Sequence, residues 1–495
     1  MTSGQLSPSR TALVLGAVLF ISYAYFYQAG GWNQNSRFAL VRAILEQHTL
    51  RIDDYQLHTG DKAIWEGHYY SDKPPGTSLM VLPSVAIARA ISRAAAVDPG
   101  SFPGIAWTSY IAAVFSAGLF TVLAALIVFV VSVRWGFSTG AALFASAAYG
   151  LAGPAWSFAT LFMSHGVTAG CLMTAFSAAL TIADRTPDRR RPWAILLGVS
   201  AGWAVVTEFQ AAIPAAVICL AALVRMRRHA PGEVVSVAAL VAAGGAACAT
   251  VLFTYNTLAF GSPLHLGYSS EEGFEHLRTG FFGITYPRWW TMRELLVGEY
   301  RGMVPLAPLI AVAAVGLLWL AADERRRAGA LIALGVAVYY FVLNASYYYW
   351  EGGWAYAPRQ VTPGLPFLAL GLAPLWDRGR QALRSVLLVG FAWGVAATLV
   401  AVSTTPQPPS SFKAPMRELL LPAFADGDLS LNPQTFVHGN ASPDLMRGNR
   451  VPHAAWNLGE IIGLRGHSSL APLFLVWMLA AALLFARGRS GSERR

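Results

Sequence analysis

Charge is what this sequence has least of. Only 13% of its 495 residues are Asp, Glu, Lys or Arg, about half the ~25% of an ordinary soluble domain. A soluble chain of this length would form two or three domains with water-facing surfaces, and these charges are too few to cover them. Lysine is rarer still: Lys62, Lys73 and Lys413 are the only three. The three cysteines, Cys171, Cys219 and Cys248, lie inside apolar runs. They lack metal-ligand spacing, argue against a disulfide framework and read as small core hydrophobes. No internal repeat or inverted symmetry of the kind common in secondary transporters is visible. Disorder, a coiled coil and a soluble enzyme are excluded. With 55% hydrophobic residues and a mean hydropathy of +0.46, the chain reads as an all-α polytopic membrane protein.

Runs of roughly 20 apolar residues suit a spanning helix. They occur at 12–30, 104–131, 138–155, 158–182, 193–207, 210–224, 234–258, 304–322, 329–346, 361–376, 382–403 and 469–486. The expectation is about twelve spans, with 193–224 open to a different count because Glu208 interrupts one long stretch. The net charge of +10 does not indicate nucleic acid, because the arginines form short clusters between spans rather than a stripe. Arg185 with Arg189–Arg191, Arg225 with Arg227 and Arg228, Arg325–Arg327, Arg378 with Arg380, and the terminal arginines all fall on one side if the spans number twelve. By the positive-inside rule that side is the cytoplasm, with both termini on it. The first span, preceded only by Arg10, reads as a retained helix rather than a cleaved signal peptide.

The opposite side carries long loops at 31–103, 259–303, 347–360 and 404–468, and all three lysines. The chain thus divides into a transmembrane body (1–403) containing the first outer loop 31–103, a Pro-, Asn- and Ser-rich loop (404–468), and a last span with a basic tail (469–495). The segment 79–97 is apolar but carries Arg89 and Arg93, and predicts an amphipathic helix at the outer interface. The first loop has seven acidic and seven basic residues. It therefore offers local carboxylates rather than a net field. A carboxylate beside a membrane can take a proton from an acceptor hydroxyl, although any one Asp here is also an ordinary turn or helix cap. Lys73 precedes Pro74-Pro75, which fix the local backbone. A cation held so at the interface suits a lipid phosphate, against the alternative of a snorkelling lysine.

The segment Tyr347–Arg359 sets Tyr347, Tyr348, Tyr349, Trp350 and Trp354 beside Glu351, Gly352 and Gly353. The plain reading is an aromatic belt. The functional reading is a site where rings stack on sugars and Arg359 pairs with phosphate. Arg301, in Glu299-Tyr300-Arg301-Gly302, is a second such arginine. His165 and Glu208 lie at or within spans, where polar residues are functional candidates. Satisfied packing for His165 and a short outer turn for Glu208 are the alternatives. Asn440-Ala441-Ser442 matches a glycosylation pattern that carries little weight in a bacterial-looking chain.

The loop from Asn35 to Pro83 and the block Trp350 to Pro366 resemble the GT-C superfamily of polytopic glycosyltransferases. The resemblance is to bacterial members of the protein O-mannosyltransferase and lipid A aminoarabinose transferase type. Their first outer loop ends in Gly-x-Tyr-Tyr-x-x-Lys-Pro-Pro, here Gly67 to Pro75, with Tyr69 and Tyr70 as candidate substrate contacts. The resemblance covers the architecture of most of the chain and, in specific motifs, about a fifth. It implies a GT-C-like fold in the bacterial inner membrane and transfer of a sugar, with inversion, from a polyprenyl-phosphate donor. The acceptor is an envelope glycan, lipid or protein on the extracytoplasmic face. A first-loop Asp is the base, and Lys73 with Arg359 and Arg301 holds the donor phosphate. Tyr69, Tyr70, His165, Trp350, Glu351 and Trp354 are expected at the substrate. No cofactor is implied, and a divalent metal stays open without an obvious ligand set. One departure matters. The family carries Asp-Glu ahead of an Arg-aromatic-Ala run, and here Gln34-Asn35-Ser36 precede Arg37-Phe38-Ala39. An amide is not a base. Asp53 or Asp54 is then the first substitute, followed by Asp61 and Asp72. A flippase for lipid-linked sugars and a non-catalytic scaffold of the same fold are the rival readings.

Overall fold

The computed structural model describes residues 7–437 and 454–485. It is a helical bundle whose only sheets, among the described residues, are two small antiparallel pairs. Among the described residues, seven helices are long and apolar enough to cross a membrane: Phe102–Arg134, His165–Ile182, Phe209–His229, Pro231–Phe260, Arg327–Ser346, Gln381–Thr404 and Gly466–Leu484. Pro8–Ala24, Thr139–Leu151 and Leu309–Ala322 are shorter apolar helices. Each expected span meets helix, but length alone does not return twelve. Of the other two, 193–207 lies within Pro187–Thr207, whose first turns carry Asp188 and Arg189–Arg191. The stretch 361–376 is broken into Arg359–Gly364, Leu365–Ala369 and Leu372–Arg378. Pro363, Pro366 and Pro374 lie within it, and each lacks the N–H an unbroken helix needs. Pro308 similarly separates Met303–Leu306 from Leu309–Ala322. The expected span 158–182 does not begin as one helix: Pro154–Ala159 stops, and the chain restarts at His165. That break places Ser164 and His165 at a helix start instead of mid-span.

Close helix approach is bought by small residues. A Cβ on Gly198 would sit 2.1 Å from the Val241 carbonyl oxygen, and one on Gly244 would sit 2.9 Å from the Val199 nitrogen. This is the small-residue seam by which helices associate where no hydrophobic gradient separates helix from lipid. Cys248 and Cys171 are buried and Cys219 is half-buried, all three as free thiols.

The arginine clusters tie one end of the bundle. Asp184 accepts from Arg134 at 2.6 Å and from Arg225 at 2.9 Å, and Arg190 meets Glu233 at 2.5 Å. Arg326 donates to the Trp135 carbonyl at 2.7 Å. Helix Pro187–Thr207 starts at this end and finishes at Glu208, among the polar loops of the other end. The terminal arginines and Asn440-Ala441-Ser442 lie outside the described residues.

At the loop end, the segment after residue 404 packs into the same body. Trp456–Asn457 pairs with Phe26–Tyr27, and Asn432 Nδ2 donates to the carbonyls of Gln28 and Gly30 at 2.6 and 3.0 Å. The expected amphipathic helix is present as Leu82–Ala94. It buries Val85, Ala88 and Ser92 and exposes Ile87 and Ile91, while Arg89 reaches Glu46 at 2.5 Å.

Candidate active site

The first-loop motif folds as a hairpin, Ala63–Trp65 against His68–Tyr70. Its turn residues Glu66 and Gly67 both have positive φ, 50° and 80°, as the hairpin-favouring mirror-image turn requires. Asp53 secures this hairpin: it accepts from the Tyr69 backbone N–H at 2.7 Å and lies 2.8 Å from His68 Nδ1. Asp54 is exposed and accepts from Gln47 at 2.5 Å. Neither lines the cavities described below, and the bonds of both preferred substitutes for the missing base serve the loop's own fold. Nor do Tyr69 and Tyr70 line those cavities. Lys62 lies over the Tyr69 ring at 4.7 Å, and Tyr70 packs on Phe260 with centroids 5.2 Å apart.

The strand instead delivers Ser71, Asp72 and Lys73 inward, all buried. Lys73 Nζ lies 2.9 Å from Asp61 Oδ2 and also contacts Asp72 Oδ2. Asp72 Oδ1 accepts from Ser36 at 3.0 Å. A third carboxylate, Glu271, comes from the outer loop 200 residues on, where residues 271 and 63 form an antiparallel bridge. The Glu272 N–H bonds the Lys62 carbonyl at 3.0 Å. A Cβ on Gly267 would sit 2.7 Å from the Asp72 carbonyl oxygen, so only glycine lets this loop come so near.

Three carboxylates around one ammonium cannot all be ordinary. Burial works against the Lys73 charge, but Asp61 and Asp72 outweigh it and hold the ammonium well above its usual pKa. Burial pushes Asp72 upward against the pull of Lys73. Burial, then the charge of Asp72, raises Glu271 to about 9. At neutral pH Glu271 is therefore a neutral acid. Between the ordinary glutamate value of 4.5 and about 9 the folded chain holds a proton that the unfolded chain releases. Stability consequently falls as pH rises through that window. Glu271→Gln, which cannot ionise, should raise the melting temperature relative to wild type at pH 9 and not at pH 4, as followed by tryptophan fluorescence in nanodiscs. Equal shifts at both pH values would contradict this.

Asp61, Lys73 and Glu271 line a cavity of about 680 Å³ together with Glu351 and Arg359. Amides line it as well: Asn33, Gln34, Gln407 and Gln434. Gln34 donates to Gln407 at 2.6 Å, so the stretch before Arg37, where the resemblance implies a carboxylate, carries an amide bonded to another amide. Aromatic walls come from Trp32, Phe274, Tyr347, Tyr349 and Trp354. Of the expected aromatic contacts, Trp354 lines this cavity. Trp350 is not, because it packs on Trp290 and Tyr300 at 5.3 and 6.0 Å.

A second cavity of about 90 Å³ adjoins the first and shares Asn33, Lys73, Glu271, Tyr347 and Arg359 with it. It adds Arg37, His165 and Glu208. The Arg359 Nε has no hydrogen-bond partner, which leaves it available to an anion. A third, mostly apolar groove of about 690 Å³ shares Gln210, Tyr268, Leu343 and Tyr347 with the second. Its walls include Ile213, Phe281, Val338 and Val342.

Arg301 is where the expectation of a phosphate ligand fails. It is fully buried, and its Nε, Nη1 and Nη2 donate to the carbonyls of Glu351, Tyr300 and Gly353 at 2.8, 2.9 and 2.9 Å. The guanidinium holds the turn that presents Glu351 and Trp354, and has no fork left for an anion. Arg301→Lys keeps the charge but not the three-way geometry. It should cost about 2–4 kcal/mol of stability through the orphaned carbonyls, read as a lower melting temperature by the same fluorescence. An unchanged melting temperature would show that the turn stands without it.

Glu271, Glu208's pairing and the amide wall were not legible as a site in the sequence, because their partners are remote in the chain. The adjacent acids Glu271-Glu272 in an outer loop were the only local signal for the first.

No protein-family model matches this sequence, and no curated protein matches it. Solved structures do. ArnT from Cupriavidus metallidurans bound to undecaprenyl phosphate aligns over 97% of this chain and 77% of that one, at 18% identity and TM-score 0.52. The apo state of ArnT aligns over 97% and 76%, at 17% identity and TM-score 0.54. The chain has the same fold, and the GT-C-like architecture expected from its first outer loop is borne out.

Proposed function

We propose that this protein is a membrane glycosyltransferase. It moves a sugar from a polyprenyl-phosphate donor to an envelope glycan, lipid or protein on the extracytoplasmic face of the bacterial inner membrane, with inversion. The observation that carries this reading is the order of the three contiguous compartments. An apolar groove shares a wall with a small basic cavity, which shares a wall with a larger polar and aromatic one. A prenyl tail, a phosphate and a sugar follow one another in the same order. The fold shared with ArnT, solved with undecaprenyl phosphate, supports a lipid phosphate as the partner.

In this reading Lys73 and Arg359 hold the phosphate, and Arg37 adds positive charge to the same cavity. Asp61 is the base. It lines the cavity, whereas Glu271 is protonated and Asp72 is fully buried. Asp61 takes the acceptor's hydroxyl proton as that oxygen attacks the anomeric carbon. The bond to the phosphate oxygen breaks on the opposite face, and the electron pair leaves with polyprenyl phosphate. Trp354 and Tyr349 offer faces for the sugar ring, and Glu351 and the amides offer hydrogen-bond partners.

Purified protein in nanodiscs, incubated with polyprenyl-phosphate sugars of several types, should release polyprenyl phosphate only with an acceptor present and with one class of sugar. Movement of intact lipid-linked sugar across the bilayer, without release, would instead establish the flippase.

A further inference from the structure

His165 begins helix His165–Ile182, and Glu208 directly follows helix Pro187–Thr207. They meet at the small cavity, with His165 Nδ1 2.5 Å from Glu208 Oε1. The same oxygen accepts from Ser164 Oγ at 2.7 Å. Ser164 in turn accepts from Arg37 Nη2 at 3.0 Å, and Arg37 Nη1 is taken by Asn33 at 2.7 Å. Phosphate binding alone does not require a histidine held this way. The pair is in ion contact without an aligned hydrogen bond; with the carboxylate on the Nδ1 side, Nε2 is the nitrogen with which the ring can serve another group.

The chemistry of the donor supplies that group. A sugar-phosphate-prenyl diester carries one negative charge. The prenyl phosphate that leaves is a monoester whose second ionisation lies near pH ~6, so at neutral pH it carries about −1.5 to −2. Up to one full charge therefore appears on the phosphate as the sugar departs. Lys73 is already engaged by Asp61 and Asp72, and Arg37 by Asn33 and Ser164.

We propose that His165, backed by Glu208, donates from Nε2 to the leaving phosphate and stabilises the charge that develops there; this rests on the polyprenyl-phosphate reading above. No proton need be transferred. The electron pair of the broken bond stays on the phosphate oxygen, and the acceptor's proton is on Asp61. Glu208 is a positioning residue that orients the ring and places a negative charge beside it, the division of labour of a carboxylate–histidine pair. The other charged groups facing the cavity are Arg37, Lys73, Arg359 and Glu271, with the phenols of Tyr268, Tyr340 and Tyr347.

The test compares farnesyl phosphate with its methyl phosphodiester as ligands of the full-length protein in nanodiscs at pH 7, by calorimetry. Wild type should bind the monoester more tightly. His165→Asn and the bulkier His165→Gln should each weaken monoester binding about tenfold, the scale of one charge-assisted hydrogen bond, and leave diester binding within twofold. Glu208→Gln should erode the same preference. In turnover, His165→Asn should lower kcat with the donor KM little changed. A merely structural role would weaken both ligands alike in both His165 variants, and that result, or an unchanged preference, overturns the proposal. If neither ligand binds wild type, the donor reading fails and this inference falls with it. Binding without a His165-dependent preference overturns the inference alone.

Discussion

Lys73→Met is expected to reduce polyprenyl phosphate release by about a hundred- to a thousandfold, the scale on which one preorganised charge partner matters in a closed site. Lys73 is also structural. Its ammonium sits among Asp61, Asp72 and Glu271, and removing it leaves buried carboxylates facing one another. Breaking such a pair from one side typically costs about 3–5 kcal/mol. Lys73→Ala, which also opens a cavity, would confuse lost folding with lost chemistry. The informative variant is Lys73→Met with Asp72→Asn. It removes one charge of each sign, and Ser36 can still donate to the remaining amide oxygen. This double variant should recover most of the melting temperature and none of the activity. Release near the wild-type rate in a folded double variant would remove Lys73 from the phosphate site.

The second large effect is expected at Asp61. Asp61→Asn should lower kcat by about a hundred- to ten-thousandfold, the range for a positioned general base. Binding of a polyprenyl phosphate should be kept, because Lys73 retains Asp72 and Arg359 is untouched. Asp53→Asn with Asp54→Asn should do the reverse. Loss of the Asp53 bonds to Tyr69 and His68 loosens the hairpin and lowers the melting temperature, while kcat at permissive temperature stays within a few-fold. The two measurements, turnover and calorimetric lipid binding, separate the roles. Activity surviving in Asp61→Asn and lost in the Asp53/Asp54 variant, with the hairpin intact, would move the base back to the first loop's exposed carboxylates.

The sequence was a good guide wherever the signal was local. Apolar run length marked the helices, and arginine clusters marked one end of the bundle, where Arg134, Asp184 and Arg225 converge. The run Gly67 to Pro75 singled out Lys73, and the segment Tyr347 to Arg359 singled out Arg359 and Trp354. Lys73, Arg359 and Trp354 all line the main cavity. The sequence misled where a residue's role depends on what faces it. Arg301 and Arg359 look alike as arginines beside glycine or proline at the mouth of a helix. One has each of its three nitrogens on a carbonyl and the other has an unpartnered Nε. Asp53 and Asp61 likewise are two turn carboxylates eight positions apart, yet one braces a strand and the other lines the cavity beside Lys73.

By itself the sequence determined that this chain is a helical membrane protein with its polar loops and its lysines gathered away from its arginine clusters. Composition and periodicity report directly on transfer between water and hydrocarbon, and each residue contributes to that locally. Only the tertiary structure decided which carboxylate reaches the cavity, that Glu271 is neutral, and that His165 has Glu208 behind it. Those facts rest on burial and on Coulomb interactions that act over a few ångströms between segments up to two hundred residues apart, and no window of sequence contains both partners.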